Sequence, residues 1–138
     1  TNPECISLKE LELWRSERNV EFWGKIEDMP SVYQKASIVC LPSYREGLPK
    51  VLLEAASMKL PVVAFDVPGC REIVVHGDNG LLVPFKSTSE LADAIESLLL
   101  QPEAAKKMGE KGRELVELYY SEKVICDQTK MVWEELIT

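Results

Sequence analysis

"SIVCLPSYREGLPKVLLEAASMKLPVVAFD", residues 37–66, holds two continuous apolar runs of strand length, 37–42 and 60–66, separated by a segment of helical character. Runs apolar on both faces suit a parallel sheet covered by helices, since a strand with one wet face would alternate. The spacing predicts a helix from about Leu48 to Met58, with Pro49 at the first helical position, where its missing N–H costs nothing. Strand, helix and strand in this order read as one crossover unit.

The flanks extend that reading. Upstream, Ser7 and Glu10 form a capping box for an amphipathic helix over 7–18. "NVEFWG", 19–24, alternates like a short strand that ends on the Gly24 turn. Asp28 then caps a short helix with Pro30 in its first turn, running to Ala36. Downstream come a helical turn at 70–74, a turn at "HGDNG" and a third strand at 81–84. A helix opened by a second capping box, Ser87 with Glu90, follows. Two more helices are expected, 102–119 and 121–136, the first weakened by Gly109 and Gly112. The fold class is α/β, a Rossmann-like parallel sheet covered by helices. Ligands of such sheets lie beyond the carboxyl ends of the strands.

Composition narrows the chemistry. A net charge of −7 over 138 residues lacks the basic footprint that neutralises a run of phosphates, so no nucleic-acid partner is expected. Cys5, Cys40, Cys70 and Cys126 lie far apart with no C-x-x-C spacing and read as reduced thiols of a cytoplasmic protein. With one histidine, His76, and no cluster of acids and thiols, no metal and no cofactor are expected. No apolar run approaches the length of a membrane span.

The loop "PSYREGLP" enters the central helix at the end where ligands bind. Gly47 and Leu48 offer free backbone N–H groups along the axis ahead of Pro49, which makes a seat for an anion. Glu46, beside that seat, would repel a phosphate. A carboxylate is an acceptor-only fork suited to a pair of hydroxyls, so a sugar carried on the phosphate is its better partner. Glu54, eight residues on and so roughly two helical turns further, is expected to project from the same helix face toward another part of the ligand. Two diols joined by a diphosphate would satisfy both acids, and a nucleotide sugar has that layout.

The E-x7-E pattern in "EGLPKVLLEAASMKLPVVAFDVPGCREIV", together with "NVEFWG", "EDMPSVYQKASIVCLPS" and "GDNGLLVP", resembles the donor-binding signature of the retaining glycosyltransferases of family 4. The resemblance covers over four-fifths of the chain. It implies a GT-B enzyme, two Rossmann-like domains across a cleft, of which 1–138 would be most of the C-terminal, donor-binding one. It further implies that Glu46 holds hydroxyls of the donor sugar and acts electrostatically in catalysis. Gly47, Leu48 and Pro49 would line sugar and diphosphate, Glu54 would bind the ribose, and Lys25 and Ile26 would meet the base through their backbone. The implied reaction is hexosyl transfer from a nucleotide-diphosphate sugar to a saccharide or lipid-linked acceptor, in bacterial surface polysaccharide or glycolipid synthesis. Attack comes on the face the diphosphate leaves, without metal. The parent would be cytoplasmic or at the inner face of the membrane.

Two positions depart from the pattern. Lys59 stands where most relatives have Gly at the end of a helix. The family's basic pair, an Arg and a Lys after the domain's first strand, has no counterpart here. The chain is therefore expected to lack its first strand, part of the diphosphate clamp and the acceptor domain, and to be inactive in isolation. Other readings stay open: a silent nucleotide or sugar-phosphate binding module, a structural domain without ligand, a glycosidase-type acid pair, or two solvated charges. "GDNG" is taken as a plain turn, His76 as a turn or surface residue, and Trp14, Trp23 and Trp133 as packing anchors.

Overall fold

The computed structural model describes residues 6–137; Cys5 lies outside them. Ten elements follow in chain order: α1 (Leu8–Ser16), α2 (Met29–Tyr33), β1 (Val39–Leu41), α3 (Lys50–Ser57), β2 (Val62–Phe65), α4 (Pro68–Arg71), β3 (Gly80–Val83), α5 (Thr88–Leu100), α6 (Pro102–Tyr119) and α7 (Glu122–Ile137). The three strands pair in parallel in the order β1-β2-β3. All four residues of β2 are buried, as its unbroken apolar run requires of a central parallel strand. Leu52 and Ala55 of α3, both fully buried, join Val63, Ala64, Ile73 and Leu98 in one core.

The 19–24 segment corrects the expected strand. It pairs with no strand among the described residues, and Val20, Phe22 and Trp23 are exposed. Alternation marks a strand only when a neighbour completes its ladder; here the side chains serve local contacts, Arg15 over the Phe22 ring and Trp23 Nε1 donating to Glu21 at 2.7 Å. Gly24 still makes its turn, with φ +65°. The first capping box forms as expected: Ser7 Oγ accepts from the Glu10 amide and the Glu10 carboxylate accepts from the Ser7 amide. The second does not, because the Ser87 hydroxyl turns to the Glu90 carboxylate at 3.2 Å and caps no amide. Neither α1 nor α7 has a buried residue, and Trp14, Trp23 and Trp133 are all exposed, so the tryptophans do not anchor the core.

The end of α3 fixes that helix on the sheet. The Leu60 amide donates to Ala55 O at 3.0 Å and the Lys59 amide to Ala56 O at 2.9 Å, a Schellman pair. Lys59 takes φ +59° to close it, the left-handed conformation that a glycine would adopt at lower cost. The peptide so turned lies against α6. A Cβ on Gly109 would fall 1.9 Å from the Lys59 carbonyl oxygen, and one on Gly112 3.3 Å from Ala56 Cβ. The α6 glycines thus set a close helix approach along the buried stripe Ala105, Gly109, Gly112 and Val116, which corrects their reading as weak points.

Propensity alone would have Gly109→Ala stabilise α6 by about 1 kcal/mol. The contact with Lys59 reverses the sign: the expected result is a loss of roughly 2 kcal/mol or more by denaturant titration. Lys59→Gly removes the left-handed strain and is expected to stabilise by about 0.5–1 kcal/mol.

Candidate functional site

The loop following β1 and the start of α3 form one edge of the sheet's carboxyl end. Pro49 is buried and serves as the N-cap, one position earlier than its expected place inside the helix. Its carbonyl accepts from Leu52 N at 3.0 Å and Leu53 N at 3.4 Å. No side chain caps α3, and the amides of Gly47, Leu48, Lys50 and Val51 take no hydrogen-bond acceptor among the described residues. Four donors and the positive end of the helix dipole are thus open along the loop and the helix start, worth a few tenths to about 1 kcal/mol to an exposed anion and more in a closed cleft. An acidic chain can receive an anion here because the backbone supplies the attraction.

Glu46 is half-buried, while Gly47 and Leu48 are exposed. Beneath this loop lies Cys70, fully buried, whose thiol is pushed up chiefly by burial and further by the carboxylates of Glu46 and Asp66. The thiol is therefore held neutral under the loop. Of the other cysteines, Cys40 and Cys126 are exposed free thiols, so the apolar setting of "SIVCLP" does not bury Cys40: β1 is paired on one side only.

Glu54 faces away from this loop, toward α2. Its Oε2 accepts from the Tyr33 hydroxyl at 2.8 Å. Tyr33 is buried, and its phenol is pushed up to about 12, first by burial and then by the hydrogen bond and charge of Glu54. Both carboxylate oxygens still have acceptor capacity for further hydroxyls. Glu54 and Tyr33 line a hollow of about 420 Å³ with Glu27, Met29, Pro30, Ser57 and Met58. Exposed Lys25 and half-buried Ile26 stand immediately before that wall. The structure thus brings Glu54 together with Glu27, Met29 and Pro30, and Lys25 and Ile26 do not line that hollow, while Glu46, Gly47, Leu48 and Pro49 belong to the other flank of the same helix start. α3 begins only at Lys50, so Glu54 lies little more than one turn into it, not two.

Tyr33 was not among the residues singled out by sequence. Its signal was faint: a tyrosine closing the short amphipathic "MPSVY" helix looks like any core aromatic. Asn79 was also missed. It is the buried polar residue of the turn, accepting from Val75 N at 2.7 Å and donating to Ile73 O at 2.8 Å, which ties "GDNG" down as a structural turn. His76 Nδ1 accepts from Leu82 N at 3.0 Å, placing the imidazole in the turn as well. Across the carboxyl end, Tyr44 and Phe85 pack on buried Phe65, with the Lys86 ammonium 4.8 Å and 5.1 Å from the two outer rings. Among the described residues no group of three His, Cys, Asp or Glu could hold a metal ion, and no helix is long and apolar enough to cross a membrane.

The chain is an α/β unit, a three-strand parallel sheet with an uncapped helix start flanked by two acids, and comparison places it. The model of the glycosyl transferases group 1 family matches residues 7–115, and the chain belongs to that family. It is 31% identical, over 99% of its length and 35% of the relative's, to the N,N'-diacetylbacillosaminyl-diphospho-undecaprenol alpha-1,3-N-acetylgalactosaminyltransferase of Campylobacter jejuni. Sucrose-phosphate synthase from Thermosynechococcus elongatus superposes with a TM-score of 0.87 at 30% identity, over 94% of this chain and 33% of that one. A variant of TarM from S. aureus, solved with fondaparinux, alpha-GlcNAc-glycerol and UDP, superposes with a TM-score of 0.80 at 30% identity, over 86% of this chain and 24% of its own. The fold is that of GT-B enzymes. The chain spans about a third or less of the length of the curated relatives it matches.

The bond between Tyr33 and Glu54 gives a pH test. An acid whose folded pKa is raised keeps its proton in the fold after the unfolded chain has lost it, so stability falls as pH rises from about 10 to about 12. Tyr33→Phe is expected to flatten that part of the fall, read as the wild-type minus variant difference in thermal midpoint across pH 9–12.

Proposed function

We propose that this chain is the donor-binding unit of a retaining glycosyltransferase that moves a hexosyl group from a nucleotide-diphosphate sugar to a saccharide or lipid-linked acceptor. The observation that carries the reading is the open start of α3 with Glu46 on one flank and the Tyr33-held Glu54 on the other. The diphosphate meets the amides of Gly47, Leu48, Lys50 and Val51. The ribose meets Glu54 in the hollow against α2, and the base extends toward the backbone of Lys25 and Ile26. The sugar lies beside Glu46. The UDP in the TarM complex and the lipid-diphosphate named for the C. jejuni relative support a nucleotide donor and a polysaccharide or glycolipid product.

On this reading the bond between the anomeric carbon and the diphosphate oxygen breaks as the acceptor oxygen bonds to the same face. The acceptor's proton passes to the departing diphosphate. Positive charge develops on the sugar ring beside Glu46, and negative charge on the diphosphate at the helix start. Both are stabilised by groups already in place, which lowers the barrier without reorganisation. Glu46 is neither a nucleophile nor a general base here. The reaction needs the acceptor-binding and basic groups of the full-length gene product.

In that product, Glu46→Ala is expected to lower kcat about 10²–10³-fold with little change in nucleotide affinity. Glu54→Ala removes hydrogen bonds to a charged acceptor worth roughly 1.5–3 kcal/mol, so nucleoside diphosphate binding weakens about 10–100-fold by calorimetry. Equal affinity of wild type and Glu54→Ala for every nucleoside diphosphate would exclude the ribose assignment.

A further inference from the structure

We infer that Gly69 is a positioning residue for transfer: by lacking a side chain it sets the height of the Glu46–Gly47 peptide over the sheet, and so where the sugar end of the donor is held. The inference rests on the donor-site reading above. A Cβ built at position 69 would lie 2.4 Å from the Gly47 carbonyl oxygen, 2.5 Å from the Glu46 carbonyl oxygen and 2.7 Å from the Glu46 carbonyl carbon. All three are backbone atoms, so no rotamer change can relieve the crowding. Gly69 is buried and its φ is not in the left-handed region; glycine is needed here for room. By contrast a Cβ on Gly47 itself would meet nothing within 4 Å, so the loop is open above and supported from below.

Which side would yield to a methyl group is decided by anchoring. The segment carrying Gly69 is fixed: Val67, Cys70, Ile73 and Val74 are all in the core, Cys70 N and Arg71 N both donate to Val67 O, and the Arg71 guanidinium pairs with the Asp66 carboxylate. The loop above has exposed Gly47 and Leu48, and its Gly47 and Leu48 amides have no acceptor among the described residues. The loop moves. To reach an ordinary carbon–oxygen contact it must rise by roughly 1 Å, and a misplacement of that size in a reacting complex costs on the order of 10²-fold in rate. Glu54 lies beyond buried Pro49, which together with fully buried Leu52 anchors the helix, and stays in place with its Tyr33 bond.

The prediction therefore separates the two ends of one ligand. In the full-length gene product, screened first against a panel of nucleotide sugars, Gly69→Ala is expected to reduce kcat about 100-fold while the Kd for the nucleoside diphosphate alone rises by less than about tenfold, since only the Gly47 and Leu48 amides move and those of Lys50 and Val51 stay with the helix. Gly80→Ala, which crowds Val62 to 2.6–2.7 Å at the sheet, is the comparison for packing strain remote from the loop. Folding is checked by thermal melting, and the measurement is repeated in a Lys59→Gly background so that a destabilised variant can still be read. Folded Gly69→Ala enzyme with kcat within threefold of wild type overturns the inference. So does a loss of nucleoside diphosphate affinity as large as the loss of rate, or a kcat no lower than that of Gly80→Ala. A wild-type product that neither binds nor turns over any nucleotide sugar defeats the donor-site reading itself, an outcome visible before any variant is made.

Discussion

The Lys59–Leu60 peptide rests on the bare Cα of Gly109, and at the opposite end of the same helix the Glu46–Gly47 peptide rests on Gly69. α3 is thus held at both ends by contacts between backbones, with no side chain between them. Such contacts are rigid because neither partner has a rotamer to change. The one at Gly109 fixes the height of the helix's end on the sheet, and the one at Gly69 sets the height of the loop that leads into its amide-rich start. The left-handed Lys59 belongs to this arrangement, since only that turn presents the carbonyl that Gly109 receives.

From this placement the electrostatics follow. A chain of net charge −7 would repel a diphosphate if side chains alone acted. The uncapped start of α3 offers a local positive field made from peptide dipoles, which an acidic composition does not cancel at close range. On the proposed reading, the carboxylates on either side then discriminate, because a carboxylate accepts from hydroxyls and repels further phosphate. The two acids differ in mobility. Glu54 is held by a partly buried phenol, whereas Glu46 depends on the loop that carries it. On the proposed reading, the flank assigned to the ribose is supported by a side chain, and the flank assigned to the sugar by the backbone beneath it.

Much of this was legible in residues 37–66. The two apolar runs became β1 and β2, the helix between them formed within two residues of its expected ends, and Ser7 with Glu10 capped α1 as their spacing implied. These are local features, decided by periodicity, proline and hydrogen-bonding side chains a few residues apart. What misled was local too. "NVEFWG" alternates as a strand does but finds no ladder partner, Ser87 and Glu90 have capping spacing but bond to each other, and tryptophans that look like anchors lie in exposed helices and coil.

The sequence by itself determined the class of fold, the loop that enters α3, and the presence of two acids eight residues apart. It did so because strand burial and helix entry are written in neighbouring residues. Only the tertiary structure decided that Tyr33, twenty-one residues before Glu54, holds that acid, and that Gly69 and Gly109 are sites of contact where propensity reads weakness. A glycine's value depends on which backbone arrives beside it, and that backbone comes from a distant part of the chain.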